Sequence, residues 1–186
     1  MRELIMVRYG EIYLKGQNRP LFMKLLMRRI REAVGEKDAK VWLNDGRMYV
    51  AGFSDLRSTL SKVQKVFGIH SVCPAVEMDK ENFDAICQQA VQMMQPLSGT
   101  FKVVARRSDK KYFLDSPQIN GKMGEYILNA CHDLTVDVKQ PQHVMNVEIR
   151  EFAYLYVEVL PGAGGMPVGS NGKAALLLSG GIDSPV

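Results

Sequence analysis

Residues 174–186 read AALLLSGGIDSPV, and their types suit the phosphates of a nucleotide. A short, wholly apolar run fits a buried parallel strand. Ser179-Gly180-Gly181 then turns the chain so that successive backbone N–H groups face one concavity, and the glycines permit close approach of a phosphate. Asp183-Ser184 begins a helix whose first amides favour an anion. The hydroxyls of Ser179 and Ser184 can donate to phosphate oxygens. Asp183 repels phosphate, so it either braces the loop or acts through Mg²⁺. Just upstream, Gly172-Lys173 imitates a kinase-type phosphate loop. That pattern needs glycine where Pro167 stands and Ser or Thr where Ala174 stands, so it is excluded.

A second group of residues suits a polyanion. FKVVARRSDKKYFLDSPQINGKMGEYIL places Arg106, Arg107, Lys110, Lys111 and Lys122 within a short span, interleaved with Tyr112 and Phe113. Arg150, closing VEIR, joins the same RNA-contacting set. A strand end, a basic loop and a helix N-terminus together make a phosphate-binding corner. Aromatic rings beside cations stack unpaired bases, as in readers of single-stranded RNA. Phe113, in contrast, is expected to fold back into the core. His70, His132 and His143 are scattered and no metal site is expected. Cys73, Cys87 and Cys131 lack CxxC spacing and read as reduced thiols of a cytoplasmic protein.

These groups need a frame. The 186 residues suffice for one large or two small domains, and no apolar run approaches a membrane span. Residues 1–75 hold 14 lysines and arginines against 7 acids, whereas the rest of the chain is slightly acidic, so the first part favours an anionic partner. Within it, ELIMVRYGEI reads as a strand. Leu21 to Val34 reads as a helix opened by Pro20 and closed by Gly35, with Leu21, Phe22, Leu25, Leu26 and Ile30 inward. VWLNDGRMYVAGF is a hairpin turning at Asp45-Gly46. Asp55 caps a helix with Leu60, Val63 and Phe67 inward, and IHSVCPAVEM is a strand. The order β-α-β-β-α-β is ferredoxin-like. A second α/β unit follows: a helix capped by Asp79, the strand TFKVVARR, a helix capped by Ser116 with Tyr126 inward, and a hairpin of MNVEIR and YLYVEV. The fold class is thus α+β. The expected division is residues 1–75, residues 76–162, and a glycine-rich linker with the start of a nucleotide-binding domain over residues 163–186.

The strand followed by SGGIDS resembles the PP-loop of the ATP pyrophosphatase superfamily. Together with RYGEIYLKGQNR, the FKVVARRSDKKYF segment, VEIREFAYLYVE and the glycine-rich GAGGMPVGSNGK, the whole chain resembles the tRNA 4-thiouridine synthetases, or tRNA sulfurtransferases. The resemblance implies that residues 76–162 form a THUMP RNA-binding domain engaging the acceptor end of tRNA. It implies ATP with Mg²⁺ as cofactor, bound by Ser179, Gly180, Gly181, Asp183 and Ser184, with the backbone of Leu177 and Leu178 lining the adenine side. ATP adenylates O4 of uridine 8, and a persulfide sulfur supplied through a cysteine desulfurase displaces the adenylate. The family is also linked to thiamine thiazole sulfur supply and suggests a homodimer. By the same resemblance the chain is an N-terminal part, inactive without the domain that SGGIDS begins. Two other readings stay open: an RNA-binding module without chemistry, and a PP-loop enzyme acting on a small molecule.

Overall fold

The computed structural model describes residues 1–170 and Gly172; the residues expected to bind ATP, Leu177, Leu178, Ser179, Gly180, Gly181, Asp183 and Ser184, lie outside them. The first unit follows the expected order. Strand β1 (Arg2–Tyr9) leads through a 3-10 segment (Glu11–Asn18) to helix α1 (Arg19–Val34), the hairpin β2 (Lys40–Asn44) and β3 (Arg47–Ala51), helix α2 (Leu56–Gln64) and strand β4 (Ile69–Met78). Pro20 lies in the first turn of α1, and Gly35 ends it in the left-handed region at φ 68°. Asp45 and Gly46 turn the hairpin with φ of 45° and 73°, the positive pair that a two-residue turn of matched twist requires. Asp55 caps α2 by accepting from the Ser58 N–H at 2.6 Å.

The second unit contains α3 (Phe83–Met94), β5 (Gly99–Arg107), α4 (Ser116–Ala130), β6 (Leu134–Val136), β7 (His143–Ile149), β8 (Ala153–Tyr156) and β9 (Leu160–Pro161). Both of its expected helix caps move. Asn82, not Asp79, accepts from the first turn of α3. Asp115, not Ser116, caps α4, in a reciprocal box with Gln118 at 2.8 Å each way. Three expected inward residues face out instead: Leu21 is 67% exposed, Phe67 52% and Tyr126 39%. In α1 the buried stripe is Phe22, Met23, Leu26, Ile30 and Val34, so Met23 takes the place given to Leu21. Strands β6 and β9 carry no alternating apolar pattern long enough to announce them.

Among the described residues all nine strands form one sheet, in the order β2-β3-β1-β4-β8-β7-β5-β6, with β9 beside β4. The long β4 is the shared member. One edge pairs with β1 from Arg2↔Glu77 to Tyr9↔Ile69. Its other edge takes β9 at Ser71 and Val72, then β8 at Val76 to Met78. Pro74, which has no N–H to give, falls between these two stretches. Helices α1 and α2 cover one face of the first unit over Ile5, Val7 and Val72, while α3 and α4 cover Met145, Val147, Ile149 and Leu155. The glycine-rich segment after β9 does not hang free. Gly162 and Gly164 donate to the carbonyls of His70 and Ile69 at 2.8 Å, Gly68 donates to Gly164, and Arg29 Nε donates to the Val168 carbonyl. A Cβ on Gly162 would stand 2.3 Å from the Ile69 carbonyl oxygen, so glycine is what permits this approach.

The sheet curls. Tyr49 on β3 and Tyr154 on β8 are three strand spacings apart, about 14 Å on a flat sheet. Their rings nonetheless stack at 4.9 Å, and Trp42 continues the stack at 5.5 Å from Tyr49. Leu4, Met6, Cys73, Ala75 and Tyr156 share this third core. At its edge lies Glu148, 1% exposed. It accepts from Arg8 Nη2 at 3.1 Å, from Arg150 Nε at 2.8 Å and from the Tyr156 hydroxyl at 2.9 Å, with Arg47 Nε 3.7 Å away. Arg150 also donates to Asp45 Oδ2 at 2.5 Å, and Arg8 to the Tyr156 hydroxyl. One carboxylate of the second unit thus gathers cations from β1, β3 and the residue that follows β7.

Burial pushes the Glu148 carboxyl upward, and the fields of Arg47 and Arg150 with the hydrogen bonds it accepts outweigh this, leaving it below its ordinary value. Its contribution to stability is therefore complete above the unfolded glutamate value of about 4.3 and disappears as pH falls through the lower folded value. Glu148→Gln leaves buried guanidiniums uncompensated and is expected to cost about 3–5 kcal/mol in urea unfolding at pH 7. That deficit should shrink as pH drops below about 4; a deficit independent of pH contradicts the assignment. Burial also pushes the Cys73 and Cys87 thiols up to about 11 and about 12. All three cysteines are buried, so the folded chain should resist a thiol reagent at pH 7 and react fully in urea. Prompt labelling without denaturant is the contrary result.

Candidate nucleic-acid interface

Strand β5 ends in Arg106 and Arg107, and the chain then loops over residues 108–115 into α4. Alternation along the strand sends these two arginines to opposite faces. Arg106 is exposed. Arg107 is half-buried: its Nη1 donates to the Tyr112 carbonyl at 3.3 Å and its Nε is buried without a partner. Arg107 therefore holds the loop more than it offers charge to solvent. Asp109 organises the loop's first turn. It accepts from Lys80 Nζ at 2.7 Å and from the Lys111 N–H at 2.9 Å, and these bonds hold its carboxyl below the usual range. The Lys110 and Lys111 side chains stay exposed.

The two aromatic residues divide. Tyr112 is buried and its hydroxyl donates to the Lys80 carbonyl at 2.8 Å; burial pushes the phenol up to about 12. Phe113, expected in the core, is 62% exposed. Residues 112, 113 and 114 alternate in, out, in, and with Tyr112 and Leu114 anchored the ring between them is presented outward. It rests edge-on against Phe83 at 6.4 Å and 4.6 Å from Tyr112, so it is a supported platform. Lys110, Lys111 and Phe113 thus stand on one loop, a combination that can meet phosphates and an unpaired base together; Arg106 leads into that loop and faces the side of the sheet that carries Glu148.

Three expectations change with the geometry. The N-terminus of α4 is not an open anion site, because the Asp115 carboxylate already accepts from its first turn. Lys122 lies about 10 Å along α4 from that cap, at 1.5 Å per residue, and its field reaches Cys87 on α3. Arg150 is not a free cation, because its guanidinium is engaged by Glu148 and Asp45. Three basic residues escaped sequence reasoning: Lys80, Arg8 and Arg47. Lys80 is distant in sequence from the loop that it holds. Arg8 and Arg47 follow the Val7↔Met48 pair on the adjacent strands β1 and β3, and the curl of the sheet brings both to Glu148; the basic bias of the first 75 residues was their sole trace.

Among the described residues no group of three or more His, Cys, Asp or Glu is placed to hold a metal ion. No helix among them is long and apolar enough to cross a membrane.

With this geometry in hand, known proteins supply the context. Residues 4–73 match the ThiI ferredoxin-like domain, and residues 80–158 match the THUMP domain. A protein of Acetivibrio thermocellus called probable tRNA sulfurtransferase is 44% identical over 195 residues, covering 100% of this chain and 50% of the relative. The chain spans about half the length of the curated relatives it matches. The crystal structure of a 4-thiouridine synthetase–RNA complex with bound ATP superimposes with a TM-score of 0.86 at 34% identity, over 100% of this chain and 48% of that one. A crystal structure from Pyrococcus horikoshii Ot3 gives 0.79 at 35% identity, over 90% of this chain and 57% of that one. Over these two matched regions the chain belongs to the ThiI ferredoxin-like and THUMP domain families, and along its whole length it is kin to the tRNA sulfurtransferases.

Proposed function

We propose that this chain is the RNA-engaging portion of an ATP-dependent tRNA sulfurtransferase that converts uridine 8 to 4-thiouridine. The observation that carries the reading is the loop after β5. Lys110 and Lys111 are exposed on it and Phe113 presents a ring on the same loop, with Arg106 exposed at the strand end that leads into it, on a scaffold held by the Lys80–Asp109 pair and buried Tyr112. Cations neutralise phosphates and release their counterions, which supplies affinity without sequence preference. A ring stacked on an unpaired base adds about 1–3 kcal/mol. That pairing of features fits a helical stem continuing into a single strand, which is the form of the tRNA acceptor end. Likeness to a 4-thiouridine synthetase solved with RNA and ATP supports the same partner.

The chemical half of the reading rests on the SGGIDS motif and on kinship. ATP with Mg²⁺ supplies an adenylate leaving group on the uridine O4, and sulfur arrives from a cysteine desulfurase. The described cysteines take no part, being buried with thiols shifted away from the thiolate. Action as a homodimer in the cytoplasm belongs to the same reading.

Filter binding of tRNA over a range of salt tests it. Arg106→Ala with Lys110→Ala should weaken binding and lower the salt slope by about one for each phosphate left without its cation. Phe113→Ala should weaken intact tRNA by about 1–3 kcal/mol and leave tRNA trimmed of its single-stranded 3′ end unaffected. Equal affinity for intact and trimmed tRNA removes the acceptor-end assignment. Absent or salt-insensitive binding favours a small-molecule substrate instead.

A further inference from the structure

The seam between the two units gathers cations that its acids do not saturate. Arg150 is fully engaged, by Glu148 and by both the carbonyl and the carboxylate of Asp45. Arg47 is not. Its one ion pair runs from Nε to Glu148 Oε2 at 3.7 Å, beyond hydrogen-bond reach, and that Nε is buried without a hydrogen bond. Among the described residues its terminal nitrogens donate to no partner and are not buried; the side chain is 23% exposed. Arg8 directs Nη2 at Glu148 and Tyr156, leaving Nη1 open and Nε buried without a partner. Glu151, at the rim, is held by Asn44 Nδ2 at 2.7 Å. Arg106 completes the group. It stands in register with Glu148 on the adjacent strand, so it shares that face about 4.8 Å away.

Buried guanidinium donors without partners are uncommon. An arginine whose fork remains open at a solvent-reached edge suits a two-oxygen anion. We infer that Arg47 and Arg8, with Arg106 beside them, form a phosphodiester subsite on the seam, so that a bound RNA backbone continues from the THUMP domain onto the ferredoxin-like domain. Glu148 does not touch the RNA; it spaces the arginines and keeps Arg47 and Arg8 at the rim. This subsite rests on the RNA reading above and extends it to residues on a different domain.

The test uses the full chain and an acceptor-stem minihelix RNA with a free 3′ end, followed by fluorescence anisotropy across a salt series. Wild type, Arg47→Ala, Arg47→Lys, Arg106→Ala and the Arg47→Ala/Arg106→Ala double variant are compared, with thermal melting of each. Arg47→Ala should bind more weakly and lose about 0.7–0.9 from the salt slope, the value for one phosphate. Arg47→Lys should keep the slope and lose part of the affinity, since the charge persists without the fork. Wild-type affinity and slope in Arg47→Ala, with Arg106→Ala impaired, overturns the subsite and leaves the THUMP interface standing. Weaker binding at unchanged slope, matched by a lower melting temperature, makes Arg47 a folding residue and also overturns it. Full binding by both single variants overturns the subsite and leaves the RNA contact to the loop of Lys110, Lys111 and Phe113, whereas absent or salt-insensitive binding by the wild-type chain removes the RNA reading itself.

Discussion

A single buried carboxylate draws together cations from both halves of this chain. Glu148 sits at 1% exposure among Arg8 and Arg47, from the adjacent strands β1 and β3 of the first unit, and Arg150, which follows β7 in the second. An ion pair of this kind adds little net stability against an apolar substitute, because desolvation offsets the attraction. Its consequence is geometric. Three guanidiniums from both units satisfy one carboxylate only when the sheet has curled enough to stack Tyr49 on Tyr154. The shared strand β4 supplies the covalent continuity, and the cluster selects the curl. Any surface assembled from both units, including a path for RNA, depends on that selection.

Much of the fold was legible because local chemistry and tertiary packing agree. The β-α-β-β-α-β order, the Asp45-Gly46 turn, the Asp55 cap and the Gly35 stop are each set by short-range preferences, and packing contradicts none of them. Errors arose where two local candidates competed. Asp115 and Ser116 are both good caps, and the reciprocal bond with Gln118 favours the former. Leu21 and Met23 both suit an apolar stripe, and the direction from which the sheet is approached exposes Leu21. The edge strands β6 and β9, of three and two residues, owe their existence to neighbours and leave no periodic trace.

The proposed interface is legible in the sequence where it is continuous and illegible where it is assembled. Arg106, Lys110 and Lys111 are neighbours along the chain, so composition alone picks them out. Whether Tyr112 or Phe113 turns outward depends on which one reaches a buried acceptor, and the carbonyl of Lys80, 32 residues away, decides it. Arg150 looked like a free cation because Asp45 lies 105 residues earlier. Arg8 and Arg47 gave no motif at all, since only the curl of the sheet makes them neighbours of Glu148.

The central claim is therefore rigidity: the ferredoxin-like and THUMP domains act as one body, set by β4 and the Glu148 cluster. Pulsed electron spin resonance measures it directly, with nitroxides on cysteines introduced at exposed Lys24 of α1 and exposed Lys122 of α4, the native thiols being sheltered. One narrow distance distribution, unchanged on adding RNA and broadened in Glu148→Gln, is the outcome this structure requires. A broad or two-peaked distribution in the unaltered chain would show two independent domains and contradict it.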